Sequence, residues 1–181
     1  MATIYKLEEV DYHTYLLFTI SKSSSAIKTR GRIRLLMTIS LFLFAFIAYG
    51  NNSKGQMIYF TFLGFLSFFF MPFYTRWSYR KTYLKHVRKY YKDRMSEPTT
   101  LLLNDRSFSI SDSQGDSVVG YSELDEVNEL EAYCFLKVKS GQSIIIPISK
   151  IENGTKILEQ LKNISQVNSI TWNDERNWIW K

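Results

Sequence analysis

The sequence predicts an α+β membrane protein with an N-terminal helix, a two-helix transmembrane hairpin and a small antiparallel β domain capped by one helix. Three observations carry that expectation. Two uncharged apolar runs, residues 35–49 and 57–74, lie seven residues apart and are walled on their outer sides by Lys and Arg. Beyond Pro98 the apolar period changes from that of a helix to the alternation of strands. Charge divides at the same place: residues 1–95 hold 15 Lys+Arg against 4 Asp+Glu, and residues 96–181 hold 8 against 13, which together make the net +6.

Residues 4–21 read as a short strand followed by a helix opening near Glu8 to Asp11, where acids in the first turn suit the helix dipole. Residues 21–25 form a polar breaker before a basic flank. The first apolar run reaches 17 residues when Ile33 and a snorkelling Arg34 are counted, and the second has 18 with no charge. A helical bilayer span needs roughly 17–25 residues, and a chain this short has little core in which to bury both runs. Lys22, Lys28, Arg30, Arg32 and Arg34 precede the hairpin. Arg76, Arg80, Lys81, Lys85, Arg88, Lys89, Lys92 and Arg94 follow it, while the loop at 50–56 carries Lys54 alone. The positive-inside rule then puts both termini in the cytoplasm and the chain in the inner membrane. A secretory signal peptide does not fit, because the first run starts more than thirty residues in and a second follows it directly.

Residues 76–95 read as a basic amphipathic helix, with Trp77, Leu84, Val87 and Tyr91 at helical intervals. Arg30, Arg32, Arg34, Arg76, Trp77, Arg80 and Lys81 are expected at the headgroup layer, against anionic lipid. The distal Lys85, Arg88, Lys89 and Lys92 are expected to dock on the acidic strand face of Glu123, Asp125 and Glu126. After Pro98, strands are expected at 99–103, 107–111, 117–121, 124–130, 133–139 and 143–148, with a hairpin signal at Ser140-Gly141-Gln142. Pro147 puts the end of the sixth strand at an edge or bulge. A helix at 155–164 presents Ile157, Leu158, Leu161 and Ile164 on one face. The tail is too apolar for a free linker. The division expected is 1–32, a hairpin at 33–75 with spans 33–49 and 57–74, a linker helix at 76–95, a β domain at 96–165 and an aromatic tail at 166–181. The edge residues Ile144, Ile146 and Pro147, with Trp172, Trp178 and Trp180, are the expected partner surface.

The inventory speaks against catalysis. His13 and His86 have no Cys or His companions at metal spacing. No Gly-rich phosphate loop or nucleophile elbow occurs. The acids at 123–131 lack a Ca²⁺ loop pattern and read as a solvated strand face. Cys134, the one cysteine, excludes an internal disulfide and reads as a buried thiol. Between residues 35 and 74 Lys54 is the one charge, so no transport pathway is marked. Basic and aromatic residues do not gather on the β domain, so no nucleic-acid partner is expected.

The layout resembles the YcxB-like family of small bacterial membrane proteins. The residues that carry the resemblance are Tyr5, Leu7, Asp11 and Tyr12, the basic two-span hairpin, the stretch from Gly120 to Val127, and Ile144-Ile145-Ile146-Pro147. Tyr121 stands where relatives usually have Trp, and Ile148 where a basic residue often follows the Pro. The resemblance implies a C-terminal domain similar to bacterial pleckstrin-homology-like folds, and it supplies no catalytic residue. Phosphoinositide-binding members of that class set several Lys or Arg on the first two strands and their loop. The matching stretch here is Asn104-Asp105-Arg106, so lipid contact is expected of the basic helix instead. The function expected is a non-enzymatic, membrane-anchored interaction or regulatory module, without cofactor, acting on a membrane or cytoplasmic protein. A structural or pore-forming homo-oligomer is the alternative, and a toxin-neutralising or stress-response membrane protein a weaker one.

Overall fold

The computed structural model describes residues 2–95, 97–113 and 115–180, so the turn expected at 113–116 lies partly outside them at Gln114. The elements run β1 (Ala2–Lys6), α1 (Glu9–Lys22), α2 (Ser24–Gly50), α3 (Lys54–Tyr90), β2 (Pro98–Leu103), β3 (Ser107–Asp112) and β4 (Gly115–Gly120). They continue with β5 (Leu124–Glu129), β6 (Cys134–Val138), β7 (Ser143–Ile146), α4 (Gly154–Val167) and β8 (Thr171–Asp174). The fold is α+β, with long apolar helices and largely antiparallel sheets. The chain divides into two compact units: residues up to Tyr15 together with Leu84–Ile179, and Leu16–Tyr83 with Trp180.

The first unit holds two four-stranded sheets, in the orders β1-β2-β3-β4 and β7-β6-β5-β8. Alternation placed the six expected strands and the N-terminal segment read as a short strand, but each sheet gains a pairing that local pattern does not announce, and β8 was not expected as a strand. β1 pairs antiparallel with β2, Ala2 opposite Leu102 and Lys6 opposite Pro98. β8, from the tail, pairs parallel with β5, Glu126 opposite Thr171. The unit therefore begins at the N-terminal strand and not near residue 96. Its buried residues come from both sheets and α4, among them Leu101, Phe108, Tyr121, Val127, Leu136 and Ile146. β6 is buried on both faces, because the Phe135 ring packs edge-on against Tyr15 of α1 with centroids 5.4 Å apart. Of the apolar stripe of α4, Ile157 and Leu161 are fully buried. Gly154 opens that helix where a Cβ would lie 2.2 Å from the Ile148 carbonyl oxygen, so the position admits glycine alone.

The second unit is a helical hairpin. Ser23 interrupts the helix between α1 and α2, and its hydroxyl caps α2 by accepting from the Ala26 N–H. Asn51, Asn52 and Ser53 make the turn to α3, with Asn52 in the left-handed region at φ 55°, a conformation that Asn tolerates. The helices meet closely where Phe42 lies on Gly64, whose Cβ would be 3.1 Å from the ring, beside buried Ala45 and Ala48. Small residues at a seam let helix backbones approach. α2 has 27 residues and α3 has 37, and both are long and apolar enough to cross a membrane. Their apolar side chains face outward, with Phe46 and Phe73 about seven-tenths exposed. α3 also corrects an expectation. The basic segment from Arg76 is no separate linker helix but the uninterrupted continuation of the apolar one, and it ends at Tyr90 instead of residue 95. No breaker stands between 73 and 90, and Pro72 is accommodated within the helix.

Candidate functional site

Two buried carboxylates organise the first unit. Asp11 is wholly buried. Its Oδ2 accepts from the Lys150 ammonium at 2.8 Å and from the Glu8 N–H at 2.7 Å, and its Oδ1 from the Tyr133 hydroxyl at 2.9 Å. Lys150 also reaches Glu8 Oε2 at 2.8 Å. One residue away, Glu9 and Arg88 form a two-pronged pair at 2.9 Å on each prong, which holds the Glu9 carboxyl below its ordinary range. Burial first, and then the bond to Asp11, push the Tyr133 phenol up to about 12. Burial pulls Lys150 down, but its bonds to Asp11 and Glu8 outweigh that and leave it above its usual value. A carboxylate with both oxygens engaged and no exposed surface has no open position for a substrate. It is a lock between α1 and the turn after β7.

Glu129, on β5, is the second. Its Oε2 accepts from the Trp172 indole N–H at 3.0 Å and lies 3.2 Å from Lys162 Nζ, while Arg176 Nε stands 3.8 Å from Oε1. Lys162 also lies over the Trp172 ring. Asn173 donates to Asn128 and to Glu126. Asp174 is paired with Arg176, whose guanidinium holds its carboxyl down at about 2. The expected solvated face of 123–131 is therefore corrected at Glu129, which is 4% exposed because β8 lies alongside β5.

The structure disperses the residues expected to dock on that face. Arg88 pairs with Glu9, whereas Asp125 and Glu126 share Lys137. Lys85, Lys89 and Lys92 are exposed, and so is Glu123. Of the expected partner surface, Ile146 and Pro147 are fully buried and Ile144 is half-buried, so that edge presents little side chain to a partner. Trp172 is committed to Glu129. Trp178 is half-buried, with its N–H on the Glu175 carbonyl. Trp180 is buried in the second unit, where its indole N–H reaches the Arg76 carbonyl at 3.3 Å.

The residues expected at the headgroups keep their exposure in part. Arg32, Arg76, Trp77, Arg80 and Lys81 are exposed, with Lys81 over the Trp77 ring. Arg30 is half-buried against the rings of Tyr79 and Trp180, at 5.5 Å from each. Arg34 does not extend freely: its guanidinium lies over Phe68 at 3.9 Å, and its Nε has no hydrogen-bond partner.

Chemistry-bearing groups are otherwise sparse. Cys134 is buried, and burial pushes its thiol well above the usual range. Among the described residues no three His, Cys, Asp or Glu side chains are placed to hold a metal ion. An open cleft of about 300 Å³ lies between α4 and the turn joining β2 and β3, lined by Asn104, Asp105, Gln160, Asn163 and Val167. The Asp11 lock went unread in the sequence, although Tyr5, Leu7, Asp11 and Tyr12 carried the resemblance; all four are buried. Comparison with protein-family models, with curated proteins and with solved structures finds no match to this chain.

Proposed function

We propose that the chain is a two-span inner-membrane protein of the YcxB-like type whose β unit serves, on the cytoplasmic side, as a non-enzymatic interaction or regulatory module. The observation that carries the membrane part is the outward apolar surface of α2 and α3, from Leu35 to Phe46 and from Ile58 to Tyr74. Water does not tolerate a contiguous apolar patch of that extent, and a bilayer removes the penalty. The basic flanks support the orientation, with 13 Lys+Arg flanking the hairpin between residues 22 and 94 against Lys54 in the turn. A four-stranded meander, a three-stranded meander and a closing helix form the element order of a pleckstrin-homology-like domain. Here the hairpin enters between the first strand and the second. The interaction role rests on what the β unit offers: locked carboxylates, an open cleft and charged faces. Anchoring raises its effective concentration near other membrane components.

Single cysteines test the placement. Asn51→Cys, in the α2–α3 turn, is expected to react with an impermeant maleimide in intact cells. Ser149→Cys, exposed on the β unit, is expected to react after lysis alone. Reaction of Ser149→Cys from outside overturns the topology. Cys134 needs no removal, being buried. The module reading fails separately if residues 16–83 alone restore whatever phenotype loss of the gene produces.

A further inference from the structure

We propose that Lys85, Lys89 and Lys92 form a face on which a second copy of this chain docks through the acidic surface of its β unit. This deepens the module reading by naming the partner, and it rests on the membrane placement given above. Lys85 and Lys89 lie one turn apart on the distal end of α3, and Lys92 lies in the short turn that follows. All three are exposed and make no ion pair among the described residues. His86 and Tyr90 add an exposed pair of tilted rings, centroids 4.5 Å apart, with Lys89 over Tyr90. The buried face of the same helix is made by Val87, while Tyr91 packs on Tyr12 at 4.6 Å. The cationic stripe is therefore what this helix leaves unpartnered.

Lipid is the obvious taker, and distance argues against it. α3 is unbroken, and each residue advances about 1.5 Å, so Lys85 stands about 16 Å and Lys89 about 22 Å beyond Tyr74. The headgroup layer accounts for only about 5–8 Å of that, and a tilt of about 20° shortens the rest slightly. At physiological salt, attraction fades within about 8 Å. Arg76, Arg80 and Lys81 fall inside that reach, Lys85 stands at its edge at about 8–11 Å past the headgroups, and Lys89 falls well outside it.

An acidic surface of the right chemistry is present on the chain itself. The stretch 84–95 carries five Lys+Arg against Asp93, while the rest of its unit carries eight against sixteen Asp+Glu. Around β5, Glu123 and Glu131 are exposed and in no ion pair among the described residues, and Asp125 and Glu126 divide one lysine between them. Within one copy no ion pair joins the stripe to these acids among the described residues. Between two copies, stripe on acid and acid on stripe, the contact is reciprocal and closes as a symmetric dimer.

Full-length protein in a zwitterionic detergent, weighed by mass photometry at about 0.05 M and about 0.5 M salt, tests this. Wild type is expected to dimerise at low salt and to weaken at least ~10-fold at high salt, as charge pairing requires. The triple variant Lys85→Glu, Lys89→Glu, Lys92→Glu and the double variant Glu123→Lys, Glu131→Lys are each expected to stay monomeric. Mixed together, they are expected to regain the dimer, which no folding defect could produce. A monomeric wild type at low salt overturns the proposal, and so does a dimer indifferent to salt and to both variants, which would place the contact in the hairpin. Lysine acetylation of the stripe that anionic nanodiscs suppress, and a second copy does not, would give the site to the leaflet. Carbonate extraction of wild-type membranes reports on the membrane placement alone.

Discussion

Replacing Lys150 by Met withdraws the cation from a carboxylate that has no exposed surface. Asp11 would keep two neutral donors, the Glu8 N–H and the Tyr133 hydroxyl. Removing one partner of a buried ion pair costs about 3–5 kcal/mol. The Lys150 side chain is 35% exposed, so water can partly replace it, and the low end of that range, about 3 kcal/mol, is the expected cost. The second contact of Lys150, to a Glu8 side chain 64% exposed, adds at most ~1 kcal/mol. A loss of about 3 kcal/mol corresponds to roughly 150-fold less protection in hydrogen exchange at the amides of Asp11 and Tyr12, which bond to the Glu8 carbonyl. Lys156→Met, at an exposed position on α4, is the control and should leave those amides unchanged. A double-mutant cycle with Asp11→Leu should show coupling of about 1–3 kcal/mol, since removing both charges spares the uncompensated one. A Lys150→Met effect below about 0.5 kcal/mol, the level of an ordinary surface substitution, would refute the lock.

Gly154→Ala drives a Cβ into the Ile148 carbonyl and is expected to lose about 1–3 kcal/mol, whereas Gly31→Ala, with nothing within 4 Å in the interior of α2, should gain about 0.5–1 kcal/mol; thermal melts of the two should move in opposite directions. Trp172→Phe removes the indole donor to Glu129 and should speed exchange in β8 several-fold while sparing β6; equal effects on both strands would contradict a local role. The Tyr133 phenol, raised to about 12 in the fold from 10 in the open chain, stabilises the protein below pH 10. Unfolded chains release that proton first as pH rises, so stability should fall between pH 10 and about 12, and Lys150 acts in the same direction. Tyr133→Phe should flatten that segment of the pH–stability curve, and an unaltered slope would show that other groups set it.

Local pattern carried the elements whose information is local. Alternation located β2 to β7, the stripe Ile157, Leu158, Leu161 and Ile164 located α4, and Glu8 to Asp11 marked the start of α1. What escaped depends on residues far apart in sequence. Asp11 and Lys150 are 139 positions apart, and nothing near either one names the other. β1 reads as a short strand, but its partner lies beyond the hairpin. β8 is four residues long and is held by parallel pairing and side-chain bonds to β5, so an apolar period could not reveal it. The acids at 123–131 looked alike in the sequence, yet the parallel pairing buries Glu129 and leaves Glu123 in solvent. The continuity of α3 was hidden because its composition changes at Arg76 while its backbone does not.

The pairing of β1 with β2 has a consequence for how the protein is made. Tyr5 faces Thr99, so about 95 residues must be synthesised after the first strand before its neighbour exists. At ~5–20 residues per second the strand waits about 5–20 s with its hydrogen-bonding edge unpaired. Both apolar helices emerge in that interval, so the hairpin is complete while the first strand is still without a sheet. Closing so distant a pair costs loop entropy and slows assembly. Slowed elongation through residues 54–97 would then lengthen the exposure of Tyr5, which is buried in the finished fold, without altering that fold, and the yield of folded protein would follow translation speed more closely than thermodynamic stability.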